Sequence, residues 1–208
     1  MNFRTVKAAI ASTLNSSAAG RFRVIGYQQQ AKGASEYVDD NRSVQVFYSS
    51  GDFSKRGSAL NGPVQHDTTF RLELTVAKAA EGDIETAAGD RGSNQVATAI
   101  ANFLTACQVA DESFDELVDI VFNIVMDARN IDFGLTTGTV TNRFVTSVEK
   151  DEPLERGEYA VLTGTMTLTL RTVEEITGDT GTPADSIAVT IDLEDDDVER
   201  TGVEVATT

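Results

Sequence analysis

The chain holds one histidine, His66, and one cysteine, Cys107, so imidazole or thiol chemistry would have to pass through one of these two residues. A serine hydrolase would need His66 beside a nucleophile, yet no G-x-S-x-G elbow occurs. Cys107 has no second cysteine with which to close an internal bridge. Its place on a helical apolar stripe reads as a buried core thiol. No Cys/His cluster has metal-ligand spacing, and no Gly-Lys-Ser/Thr loop could cradle a phosphate. The run DLEDDDVE, 192–199, supplies oxygen ligands of the kind calcium takes. It lacks the EF-hand spacing and its turn glycine, and therefore reads as a charged, solvated turn. The absence of tryptophan and the presence of four tyrosines argue mildly against a sugar-stacking cleft between paired carboxylates. These residues predict no catalytic group, no metal and no cofactor, and hence a chain that is not an enzyme.

The elements that would position any site are more informative. YAVLTGTMTLTLRTVEEI, 159–176, separates by alternate positions into Ala160, Leu162, Met166, Leu168 and Leu170 on one side and Thr163, Thr165, Thr167 and Thr169 on the other. That alternation predicts a long strand with one buried and one open face. TTFRLELTVAKA, 68–79, repeats the pattern: Phe70, Leu72, Leu74 and Val76 oppose Thr69, Arg71, Glu73 and Thr75. Further strands are expected at 21–27, 42–50, 139–148 and 186–193. Helices are expected at 3–15, where Phe3, Val6, Ile10 and Leu14 share a face, and at 94–107, where Val96, Ile100, Phe103, Leu104 and Cys107 do. A break at 108–110 separates the second from a third helix at 112–129, with Phe114, Leu117, Val118, Val121, Phe122 and Val125 as its core stripe. Ser93 suits an N-cap for the second helix; Asp111 or Ser113 suits one for the third, and Ser113 with Glu116 has capping-box spacing.

Together these elements predict an α+β fold: a mostly antiparallel β-sheet with helices packed on one face. The α+β domain is expected over 1–176, with an acidic C-terminal β extension of the same domain over 177–208. The link 149–158 reads as an exposed connection between antiparallel strands. The stretch 81–92 reads as flexible, and 49–67, with three glycines and a Gly-Pro, as a long loop. That loop, with Phe53, Lys55, Arg56 and His66, is the expected interaction loop. The threonine side of the long strand, Thr163, Thr165, Thr167 and Thr169, is the expected subunit-contact face.

Composition narrows the classes of function. The formal net charge is -16, divided between +1 over residues 1–110 and -17 over 111–208. A basic groove wrapped on nucleic acid is excluded by that balance, because phosphate contacts dominate such affinity. An acidic wall past which DNA slides without sticking is compatible with it. No apolar run has bilayer length, so no membrane partner is expected. The N-terminal stretch reads as an amphipathic helix rather than a secretory leader. The lone cysteine fits a reducing cytosol.

The order of these elements resembles that of the tail terminator proteins of long-tailed bacteriophages. The resemblance is carried by an N-terminal amphipathic helix, the strand SVQVFYSS, a long Gly-rich loop, the strand HDTTFRLELTV, a helical pair and the late strand GTMTLTLRTVEEI. It covers most of residues 1–175 and is one of architecture rather than of a diagnostic motif. The resemblance implies a homo-hexameric ring that sits on the head-proximal end of the tail tube, stops its growth and receives the head–tail connector. It implies as partners the tail tube protein, the connector and DNA passing through the lumen, and places the protein in the tail or neck of a virion assembled in the host cytoplasm. Alternatives within the same reading are a tail-tube or neck ring component. A different class is a monomeric acidic ligand-binding domain.

Overall fold

The computed structural model describes residues 3–27, 41–52, 63–80, 93–156 and 159–175. All of these belong to one compact unit. Helix α1 spans Phe3–Ala18 and strand β1 Arg23–Ile25. Strands β2, Asn41–Asp52, and β3, Pro63–Ala79, come next. Helix α2 spans Ser93–Met126, followed by a 3-10 turn at Ala128–Asn130. Strands β4, Val140–Lys150, β5, Leu154–Arg156, and β6, Tyr159–Glu175, complete the described chain. The strands form one sheet in the order β1-β2-β3-β6-β4, with β5 also paired to β6. Every described pairing is antiparallel except the short β1–β2 contact. The fold is α+β, as the alternation predicted.

The register runs from Pro63 opposite Glu175 to Ala79 opposite Tyr159, so β3 and β6 form the long central ladder. Even-numbered side chains of both strands point to the helices, where Phe70, Leu72, Leu74, Leu162, Met166, Leu168 and Leu170 are fully buried. Burial of one such side chain is worth about 1.5–3 kcal/mol, so this face dominates the core. From the helices come Val6, Ile10 and Leu14 of α1 and Phe114, Leu117, Val121 and Val125 of α2. Gly164 interrupts the large residues of β6 because the Phe114 ring occupies the space its Cβ would need.

Several expectations are corrected. The helices expected at 94–107 and 112–129 are one continuous helix, α2. No glycine or proline stands at 108–110, and Ala110 is fully buried in phase with Ala106 and Phe114. Asp111 and Ser113 are therefore interior helical residues and not caps. In the N-terminal half of α2, Ala106 packs on Ala80 and Ala160 with Phe103 and Cys107 beside it, Ala110 joins the main core, and Ala99 is also buried. The stripe read as core is rotated outward, leaving Ile100 43% and Leu104 61% exposed. Cys107 is half-buried and packs with Phe103 against the cluster of Ala80, Ala106 and Ala160; burial first, and then nearby Glu155, raise its thiol above the usual range. Phe122 also faces out.

Helix α1 continues past Asn15 to Ala18, which is buried, and ends where Ala19 and Gly20 take positive φ. The expected loop 49–67 is narrower, since β2 runs through Asp52 and β3 starts at Pro63. The extension expected at 177–208, its strand at 186–193, the acidic run 192–199 and the stretch 81–92 lie outside the described residues. Among the described residues no helix is long and apolar enough to cross a membrane.

Candidate subunit-contact face

Because α1 and α2 both pack on one side of the sheet, the odd-numbered residues of β3 and β6 form its other side. There Thr69, Arg71, Glu73 and Thr75 stand opposite Thr169, Thr167, Thr165 and Thr163. On the far side of β6 the same row continues with Phe144 beside Thr169, Ser147 beside Thr167 and Glu149 beside Thr165. On the far side of β3, Gln45 pairs with Glu73 and Ser43 with Thr75. The four expected threonines thus lie in the middle of a four-strand face that is mixed in character, with Phe47 beside Arg71, Phe144 beside Thr169 and the buried pair Ala77 and Val161 at one end. Threonine suits that position because its β-branch fits the pleat while its hydroxyl and methyl both face outward.

Local bonds tie the ladder together. The hydroxyls of Thr69 and Thr169 are 3.3 Å apart. The Thr163 hydroxyl donates to Asp151 at 2.6 Å, and the Asp151 amide donates to the Thr163 carbonyl at 2.9 Å. At the other end, Arg171 grips Asp67 with two bonds of 2.8 Å each. Such a fork fixes geometry as well as charge. Thr163, Thr165 and Thr167 are half-buried and Thr169 is buried. Glu73 sits between them with its pKa raised: burial is the main cause, Asp151 adds to it and Arg71 opposes it. The face therefore mixes hydroxyls, one fixed ion pair and a carboxylate held at some cost in its charged form.

His66 does not belong to this face. It is an inner residue of β3 rather than a loop residue, opposite Thr172 and on the helix side. The β3–β6 ladder continues beyond the last large apolar pair because it needs only backbone groups, which carries His66 into the strand. Burial lowers its pKa from 6.5, so the imidazole is neutral at pH 7. Phe53, Lys55 and Arg56 lie outside the described residues.

Two features escaped the sequence reading. One is the outward stripe on α2, whose signal was the charge-free run Ser93–Ala110 in an otherwise highly charged chain. The other is a cleft of about 470 Å3 at the C-terminal ends of the two helices, lined by Ser17, Arg21, Asn123, Asp127, Arg129 and Asn130 among others. Asp127 caps the 3-10 turn by accepting from the Arg129 amide at 2.9 Å, and also accepts from the Arg129 guanidinium. Those bonds hold its carboxyl down at about 2. A carboxylate so committed is a poor proton acceptor, which leaves the cleft without an evident base. Behind it, buried Arg143 donates to the Asp127 carbonyl and lies 5.6 Å from the Phe133 ring centre. Among the described residues no group of three or more His, Cys, Asp or Glu could share a metal ion. Comparison with protein-family models and with curated protein sequences gives no match.

Proposed function

We propose that this chain is the subunit of a closed, hexameric ring that caps the head-proximal end of a bacteriophage tail tube. The ring ends tube polymerisation and joins the tail to the head connector, and the protein acts by shape and charge rather than as an enzyme. The observation that carries this reading is the one-sided sheet: two helices cover one face, and the other presents the threonine ladder Thr163–Thr169 in register with Thr69–Thr75. A sheet flanked by helices and arranged in this order is the protomer architecture that the resemblance implies.

A head-to-tail contact between identical subunits closes into a ring when its rotation closes. The face away from the helices offers half-buried threonine hydroxyls and methyls to such a contact without a strong charge of one sign. The excess of carboxylates elsewhere, a formal -16 per chain, gives a ring lumen that repels phosphate and lets DNA pass. Tail tube protein, connector and a second copy of the chain are the partners.

The test is the double substitution Thr165→Lys and Thr167→Lys, which places two long cationic side chains on the contact face, where they must be desolvated for the contact to close, while leaving the core untouched. The expected result is loss of the ring in sedimentation, with an unchanged circular dichroism spectrum. An intact ring would remove the threonine face from the contact. The cleft between the helix ends favours one second reading, a monomeric ligand-binding domain; that reading predicts a single-chain mass at micromolar concentration.

A further inference from the structure

The N-terminal half of α2 is a different kind of surface from the threonine face. Residues Ser93–Ala110 contain no Asp, Glu, Lys or Arg, whereas Asp111, Glu112, Asp115, Glu116 and Asp119 follow within the same helix. Its small residues Ala106 and Ala110 are buried toward the sheet, with Ala106 against Ala80 and Ala160. Ile100 and Leu104, one helical turn apart, stand outward at 43% and 61% exposure, with half-buried Val96 beside them and Phe103 and Cys107 turned partly inward onto Ala80, Ala106 and Ala160. Over Val96–Cys107 the stripe is about 16 Å long at 1.5 Å per residue. An apolar stripe of that kind marks an interaction surface.

We infer that this stripe pairs, antiparallel and about a two-fold axis, with the same stripe of a second copy of the chain. Charge selects that occupant. Pairing centred midway between Ile100 and Leu104 sets Ile100 of each copy against Leu104 of the other. It also brings Asp111 of each copy beside residue 93 of the other, which begins α2. The first turn of a helix is the positive end of its dipole and carries unbonded N–H groups, so a carboxylate there is favoured. Asp111 and Asp115 share Lys150, with Nζ 2.6 Å from an oxygen of each, so the group meeting the partner helix retains a net charge of about one electron. The antiparallel register thus joins the two charge-free halves and places Asp111 of each copy at the opposite helix start. A parallel register would instead align the two acidic segments. This contact is isologous and independent of the head-to-tail contact proposed for the ring; with both present, two rings join back to back.

The experiment is sedimentation of the full chain and of its Leu104→Glu variant at about 50 µM. The expected result is that Leu104→Glu halves the particle mass while the circular dichroism spectrum stays unchanged. If the ring also forms, twelve chains fall to six; if the ring proposal fails but this one holds, two fall to one. Equal masses for the two proteins overturn the pairing, whether both are rings or single chains. Register is read by oxidising a Cys107→Ser chain that carries Ala97→Cys and Gln108→Cys. Within one helix these positions lie about 16 Å apart, too far to bond, whereas the antiparallel pair brings each against the other across the axis. A disulfide-linked double chain is expected, and its absence overturns the register.

Discussion

Gly164 is the residue at which sequence, packing and stability meet most sharply. A Cβ there would overlap the Glu149 carbonyl oxygen and lie 2.5 Å from Phe114 Cζ, so the strand or the ring must shift. Gly164→Ala should therefore cost about 2–4 kcal/mol, read from the urea midpoint, as overpacked cores do. A loss below about 0.5 kcal/mol would mean that Phe114 does not fill that space. Glu73 makes a pH prediction. Its folded pKa lies above the ordinary 4.5, so the unfolded chain releases the proton first and stability falls as pH rises from 4.5 through the folded value. Glu73→Gln should raise the melting temperature at pH 7, and the advantage should vanish below about pH 4.5. An advantage that persists in acid would assign the effect to something other than the charge. His66 has the opposite dependence. Its folded pKa is below 6.5, so its contribution is full above 6.5 and is lost as pH falls below that value. His66→Gln should flatten that acid limb in a melting series from pH 7 to 5, and an unchanged slope would refute it.

Among the elements, β6 and the part of β3 from Thr68 onward were legible because alternation has period two and each large apolar residue marks its own face, whereas 63–67 of β3 read as loop. The threonine ladder was legible for the same reason. Gly164 stood in the opposite, helix-facing row without explanation, since its cause is a ring on a helix fifty residues earlier. Helix α2 was harder. Ser113 and Glu116 have the spacing of a capping box, which is a local pattern and says nothing of whether residues 108–110 are already helical. Ala106 and Ala110 face the sheet because close approach favours small residues, whereas a reading by hydrophobicity gives most weight to Ile100 and Leu104 and so rotates the helix. The short β1–β2 parallel contact left no signal beyond β-branched composition. Continuity of α2 is tested by Ala110→Gly, which should cost about 1–2 kcal/mol from backbone freedom and a lost buried methyl. Two separate helices with a break at 108–110 would tolerate it with almost no change in the urea midpoint.

At the scale of the whole molecule the controlling quantity is charge. Ring closure brings together copies that each carry a formal -16, and repulsion between exposed carboxylates reaches about 10 Å at 0.1 M salt. Added salt or divalent cation should therefore shift the sedimentation profile toward the ring, and a ring that dissociates as salt rises would place ion pairs, not threonines, at the contact. The account rests on the ring and on its position at a tube end, and electron microscopy of the purified chain, alone and mixed with isolated tail tubes, tests both together. The result predicted is closed rings in the first sample and, in the second, one ring on one end of each tube with no further growth. Single chains that leave every tube end bare, or open-ended tubes built from this chain alone, would contradict it.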